Sequence, residues 1–205
     1  MKALITGFDP FGGETMNPSY EIVKLLPDNI EGCDIIKKEI PTVFGKSLDL
    51  LLGYIEFEQP DFVICLGQAG GDAAIRLEKV AINLNDARLP DNEGNQPIDL
   101  PVIEKSENAY FSNLPLKVIM KQLKENGIPT TISYTAGTYV CNQIFYGLMD
   151  YIYKTNRSMF GGFIHVPYLP DQVIDKKNTS HMALSMMVDA VTTSVELLVK
   201  ELKTV

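Results

Sequence analysis

Several absences narrow the reading of this chain before any motif is considered. Lys and Arg total 18 against 26 Asp and Glu, giving a formal net charge of −8 and an isoelectric point of about 4.8. No Lys/Arg-rich run offsets this balance, so nucleic acid is a poor partner. No apolar run is long enough to span a bilayer. The opening Met1-Lys-Ala-Leu-Ile-Thr-Gly-Phe8 is too short an apolar stretch for a signal peptide and reads as a first strand. Only three cysteines occur, Cys33, Cys65 and Cys141. An odd, widely spaced set implies neither a disulfide framework nor a zinc motif, and it suits a reducing cytoplasm. Two histidines, His165 and His181, leave little choice for an imidazole base. There is no internal repeat, low-complexity tract or Pro/Ser linker, and nothing in the chain requires a metal or organic cofactor.

The 205 residues are 45% hydrophobic and 21% charged, ordinary values for a soluble chain that can bury a sizeable core. Short apolar runs alternate with helical patterns. Strands are expected over 4–8, 35–40, 61–66, 130–134 and 163–166, and 75–84 reads as extended. Asn17-Pro18 opens a helix with a capping side chain and Pro at its first position. Leu48, Leu51, Leu52 and Ile55 recur on one helical face. Residues 116–126 form a helix stopped by Gly127. Val140, Ile144, Phe145, Leu148, Met149 and Ile152 mark another apolar face, and Ser180 is placed to cap a last helix. This alternation predicts an α/β class fold: a single-domain α/β/α sandwich spanning 1–205, around a largely parallel twisted sheet. Active groups in such folds gather beyond the carboxyl ends of strands. Gln68, Cys141 and His165 all fall near predicted strand ends.

Cys141 stands where an apolar, strand-like segment turns into a helix. Unpaired N–H groups and the helix dipole at such a start favour thiolate, the nucleophilic form. Cys65, inside Phe62-Val-Ile-Cys-Leu66, reads as a buried structural thiol, and Cys33 as a turn residue. His165, after Phe160-Gly-Gly-Phe-Ile164, is the candidate base. His181, in Asn178-Thr-Ser-His-Met182, reads instead as an exposed helix start. An imidazole base also needs an orienting group. Glu78, Asp86, Asp91 and Glu93 are all available, and spacing does not choose among them. Arg88 could balance an oxyanion or simply pair with an aspartate. Gly12-Gly13 and Gly67-Gln-Ala-Gly-Gly71 match no phosphate-binding signature and read as pocket walls.

Taken in order, Gly7-Phe-Asp-Pro-Phe-Gly-Gly-Glu-Thr-Met-Asn-Pro18, Gly67–Gly71, Glu78-Lys-Val-Ala-Ile-Asn83, Asp86-Ala-Arg-Leu-Pro-Asp-Asn-Glu-Gly94, Tyr134–Asn142 and His165-Val-Pro-Tyr-Leu-Pro170 resemble the type I pyroglutamyl peptidases. This family of cysteine peptidases is also called pyrrolidone-carboxylate peptidases, and the resemblance runs nearly end to end. It implies a nucleophile at Cys141, a base at His165, an acid at Glu78 and an oxyanion-supporting arginine at Arg88. The pyroglutamate pocket would use Phe8, Phe11 and Gln68, with Tyr139 and Val140 beside the nucleophile. The implied substrates are peptides with N-terminal pyroglutamate, a neutral lactam suited to apolar walls and a few amide hydrogen bonds. A homo-oligomer, often a tetramer, is also implied. The chain departs from the family pattern at Arg76, where a hydroxyl residue is usual, at Asp72, where a basic one is common, and at Asn85, where a second acid is frequent. Two rivals remain: an α/β binding module without chemistry, and another cysteine-dependent amidase.

Overall fold

In the computed structural model, residues 1–204 are described; the expected domain ends on Val205, which lies outside them. The elements follow in the order β1 (Lys2–Phe8), α1 (Pro18–Leu25), β2 (Asn29–Ile30), β3 (Cys33–Ile40), α2 (Lys46–Glu58), β4 (Phe62–Gln68), β5 (Ile75–Glu78), β6 (Val80–Ile82), β7 (Ala109–Phe111), α3 (Leu116–Glu125), β8 (Thr130–Ser133), α4 (Val140–Thr155), β9 (Phe160–Val166), a 3₁₀ turn (Pro170–Gln172) and α5 (Leu184–Thr204). Seven strands make one sheet in the order β2-β3-β1-β4-β9-β5-β8, while β6 and β7 pair separately. The central strands β3, β1, β4 and β9 run parallel. β5 runs antiparallel to β9, and β8 follows β5 in parallel.

Burial on both faces explains why β1 and β4 read as continuous apolar runs rather than as alternating ones. Ala3, Ile5, Ile64, Leu66, Leu77 and Ile164 point into the core shared with α1, α3 and α5. Leu4, Phe8, Val63, Cys65 and Phe163 point the other way, into the core shared with α2 and α4. This is the expected three-layer sandwich. Every second residue of β4 and β9 therefore faces α4, the helix that carries Cys141.

The expected punctuation holds at α1, where Asn17 Oδ1 accepts from the Ser19 N–H at 3.1 Å and Pro18 opens the helix. It also holds after α3, where Gly127 takes φ +76°. Three expectations need correction. Cys33 is not a turn residue: it opens β3 and is fully buried. Residues 75–84 are not one extended segment: the chain breaks at Lys79, and β6 leaves the main sheet to pair with β7. Ser180 does not cap the last helix, which begins at Leu184; Ser180 forms an isolated bridge with Gly71. Strands β2 and β7 were not anticipated, because two or three residues are too few to display a period.

Candidate active site

Three elements bring the candidate residues together. β9 carries His165 on the face covered by α4, in register with Gly67 of β4. β5, antiparallel to β9, sets Arg76 opposite His165. Glu78 lies two residues further on and so on the same face. Helix α4 starts at Val140, which makes Cys141 its second residue. The cap is Tyr139, whose side chain makes no capping bond among the described residues. The Thr138 hydroxyl donates to the Asp86 carbonyl at 2.7 Å.

Asn142, fully buried, anchors the first turn of α4. Its amide donates to the carbonyls of Ile82 and Leu84 at 2.8 and 3.0 Å and accepts from the Ile82 N–H at 3.0 Å. The short strand β6 thus fixes the height of Cys141. Below the sulfur, a Cβ on Gly67 would come within 2.9 Å of Cys141 Sγ and 2.7 Å of the Phe163 ring. Glycine at this position is what leaves space for the thiol.

Glu78 is completely buried. Its Oε1 accepts from His165 Nδ1 at 2.8 Å and forms an ion pair with Arg76 Nε at 3.2 Å, while Oε2 has no hydrogen-bond partner among the described residues. With Nδ1 turned to Glu78, the free nitrogen of His165 is Nε2. Removing one member of so buried a pairing costs about 3–5 kcal/mol. The other acids serve elsewhere. Asp91 holds its own loop, accepting from the N–H groups of Phe44, Glu93 and Asn95. Glu93 pairs with Lys46, and Asp86 is exposed. His181 is exposed and lines a separate shallow depression.

The cleft has a volume of about 510 Å³ and reaches both Cys141 and His165. Phe11 and Tyr139 form an aromatic wall with ring centroids 6.0 Å apart, and Phe44 packs edge-on against Tyr139 at 5.2 Å. Gln68 lines the cleft with its Oε1 accepting from Gln172 Nε2 at 2.8 Å, which leaves its own amide N–H groups for a ligand. Arg88 lines the same cleft and is exposed. Phe8 and Val140 do not line it. Phe8 is 2% exposed at the end of β1, and Val140 is fully buried, both within the core under α2 and α4. Alternation along β1 and the inward face of α4 direct them there. Sequence reasoning read Gly67 only as part of a pocket-wall turn and missed Phe44, Asn142 and Gln172. Of these only Asn142, next to the cysteine, carried a local hint.

The electrostatics also differ from expectation. Burial, followed by the Glu78 carboxylate, pushes the Cys141 thiol up to about 12, and the helix-start N–H pulls it down by less. Cys141 is part-buried, so water at the cleft mouth tempers the effect. The helix start alone does not offset the burial of the thiol. Of the three departures, Arg76 and Asp72 belong to the Glu78 network, joined to each other at 2.9 Å. Asn85 is buried and pairs through its backbone with Leu100.

A thiol that needs a base, beside an imidazole held in one orientation by a buried carboxylate, places the chain in the class of cysteine peptidases. It belongs to the pyroglutamyl peptidase family, whose model matches residues 1–201. A pyrrolidone-carboxylate peptidase of Thermosipho africanus is 56% identical over 201 residues, 98% of either chain. One from Clostridium perfringens is 52% identical over 208 residues, covering all of this chain and 98% of the other. Among solved structures, pyroglutamyl peptidase I of Bacillus amyloliquefaciens aligns with a TM-score of 0.91 at 48% identity, over 95% of each chain. A mutant pyrrolidone carboxyl peptidase of Pyrococcus furiosus aligns with a TM-score of 0.95 at 42% identity, over 98% of this chain and all of the other.

Proposed function

We propose that this cysteine peptidase removes N-terminal pyroglutamate from peptides, with Cys141 as nucleophile, His165 as base and Glu78 as the orienting acid. The observation that carries the assignment of roles is the His165 Nδ1–Glu78 Oε1 bond of 2.8 Å in the cleft that also holds Cys141. His165 Nε2 takes the Cys141 proton as sulfur bonds to the pyroglutamyl carbonyl carbon, and the carbonyl π pair moves onto oxygen. N–H groups at the start of α4, with Arg88, stabilise that oxyanion. Collapse breaks the C–N bond, and the imidazolium gives its proton to the departing amine. Water then attacks the thioester, His165 accepts its proton, and sulfur leaves to be reprotonated.

The lactam ring is neutral and flat, so Phe11 and Tyr139 supply its apolar wall and the Gln68 amide one polar contact. A substrate without the lactam leaves that amide unpaired, which discriminates against it. Residues 1–205 act as one catalytic unit, and the natural assembly is a homo-oligomer, a tetramer by family likeness. The compartment proposed is the cytoplasm. Among the described residues no helix is long and apolar enough to cross a membrane. The test compares kcat/KM on pyroglutamyl and prolyl amides for the wild type and His165→Ala. The pyroglutamyl amide should be cleaved far faster, and His165→Ala should lose at least about 10³-fold. Equal cleavage of the prolyl amide would point to a different cysteine amidase.

A further inference from the structure

Glu78 does not serve His165 alone. Arg76 and Glu78 share a face of β5, and the antiparallel register sets Arg76 across from His165. The Arg76 guanidinium is held on every nitrogen. Nε forms an ion pair with Glu78 Oε1 at 3.2 Å, Nη1 donates to Asp72 Oδ2 at 2.9 Å, and Nη2 donates to Ser133 Oγ and the Thr135 carbonyl at 2.8 and 2.7 Å. Bonds to the loop after β4 and to the end of β8 prevent it from swinging away. The carboxylate oxygen that it meets is the one bonded to His165, while the other oxygen has no hydrogen-bond partner among the described residues. One buried negative charge therefore faces two nitrogen donors that are both cationic once His165 accepts a proton.

We propose that Arg76 is a positioning residue of this site: by sharing Glu78 Oε1 with His165, it limits how firmly the carboxylate holds the protonated imidazole. A neighbouring guanidinium disfavours an imidazolium. The charged and titratable groups facing this pair are Asp72 on the loop after β4, Cys65 on β4, Cys141 on α4, and Asp86 and Arg88 across the cleft. Only Asp72 contacts the guanidinium from its far side, where it offsets part of the charge and is itself partly solvated.

The inference rests on the proposed roles of Cys141, His165 and Glu78, and the two can fail separately. The experiment is the pH profile of kcat/KM on a pyroglutamyl amide for wild type, Arg76→Met, Arg76→Lys and Asp72→Asn. In Arg76→Met, the acidic limb should move up by about 1 pH unit, because the imidazolium loses a repelling charge. Arg76→Lys keeps the charge and should keep the limb near its wild-type position even where the rate falls. Asp72→Asn should move the limb downward. A rate loss in Arg76→Met that is uniform across pH, with an unmoved limb, would make Arg76 a strut and overturn the proposal. If wild type lacks the activity, or Cys141→Ser retains it, the assignment of the site fails instead.

Discussion

The sulfur of Cys141 depends on a missing atom. Gly67→Ala would place a methyl 2.9 Å from it and 2.7 Å from the Phe163 ring. The variant should fold, yet lose about 10²-fold in kcat, because the proposed nucleophile, displaced by an ångström, loses its attack geometry. Circular dichroism together with steady-state kinetics checks both halves. The raised thiol makes a second prediction. Alkylation of Cys141 in the free enzyme should climb about tenfold per pH unit between about pH 7 and about pH 9, following the thiolate fraction. A plateau over that range would instead indicate a preformed thiolate–imidazolium pair. Comparison of Cys141 with Cys33 and Cys65 is less telling, since both of those are fully buried and shielded whatever their chemistry. At this scale the sequence was only partly legible. Cys141 and His165 stood out by position, whereas Glu78 was one of four acids until the family resemblance selected it. Phe44 and Gln172 were invisible because their roles depend on partners distant in the chain, such as Gln68 for Gln172, 104 residues away.

The elements matter through the way they hold one another. Helix α4 is seated on β6 by the three hydrogen bonds of Asn142. Asn142→Ala would strand part-buried backbone groups of Ile82 and Leu84 and should cost up to about 1–3 kcal/mol for each group left unsatisfied. Chemical denaturation would show this as a lowered midpoint, with activity falling as Cys141 shifts. The loop after β6 is tied down by Asp91. Burial opposes its charge, but hydrogen bonds from Phe44, Asn95 and Glu93 outweigh that and hold its carboxyl below the usual range. A depressed folded value means that stability is fully present above the unfolded pKa of about 3.9 and is lost as pH falls through the folded one. The stability gap between wild type and Asp91→Asn should therefore be full above about pH 4 and close on further acidification. Equal stability of the two at neutral pH would contradict this. Helices α1 to α4 were legible, because capping and period are local signals. The break at Lys79 and the start of α5 at Leu184 were not. β6 is extended like β5 and is distinguished only by its pairing with β7, and Ser180 is occupied by Gly71.

For the molecule as a whole, the two cores have different consequences. The face under α1, α3 and α5 is almost wholly apolar, while the face under α2 and α4 ends at the cleft, where Gly67, Glu78, Arg76 and His165 replace packing residues. The alternation of strands and helices foretold the sandwich, but not the reversal of β5, and that reversal brings an arginine beside the histidine. The central claim is that Cys141 attacks the pyroglutamyl amide. Its most direct test is hydrolysis of a pyroglutamyl amide by Cys141→Ser at the concentration at which wild type turns over freely. Activity should fall by at least about 10³-fold with the fold intact; substantial retained hydrolysis by the serine variant would contradict the account.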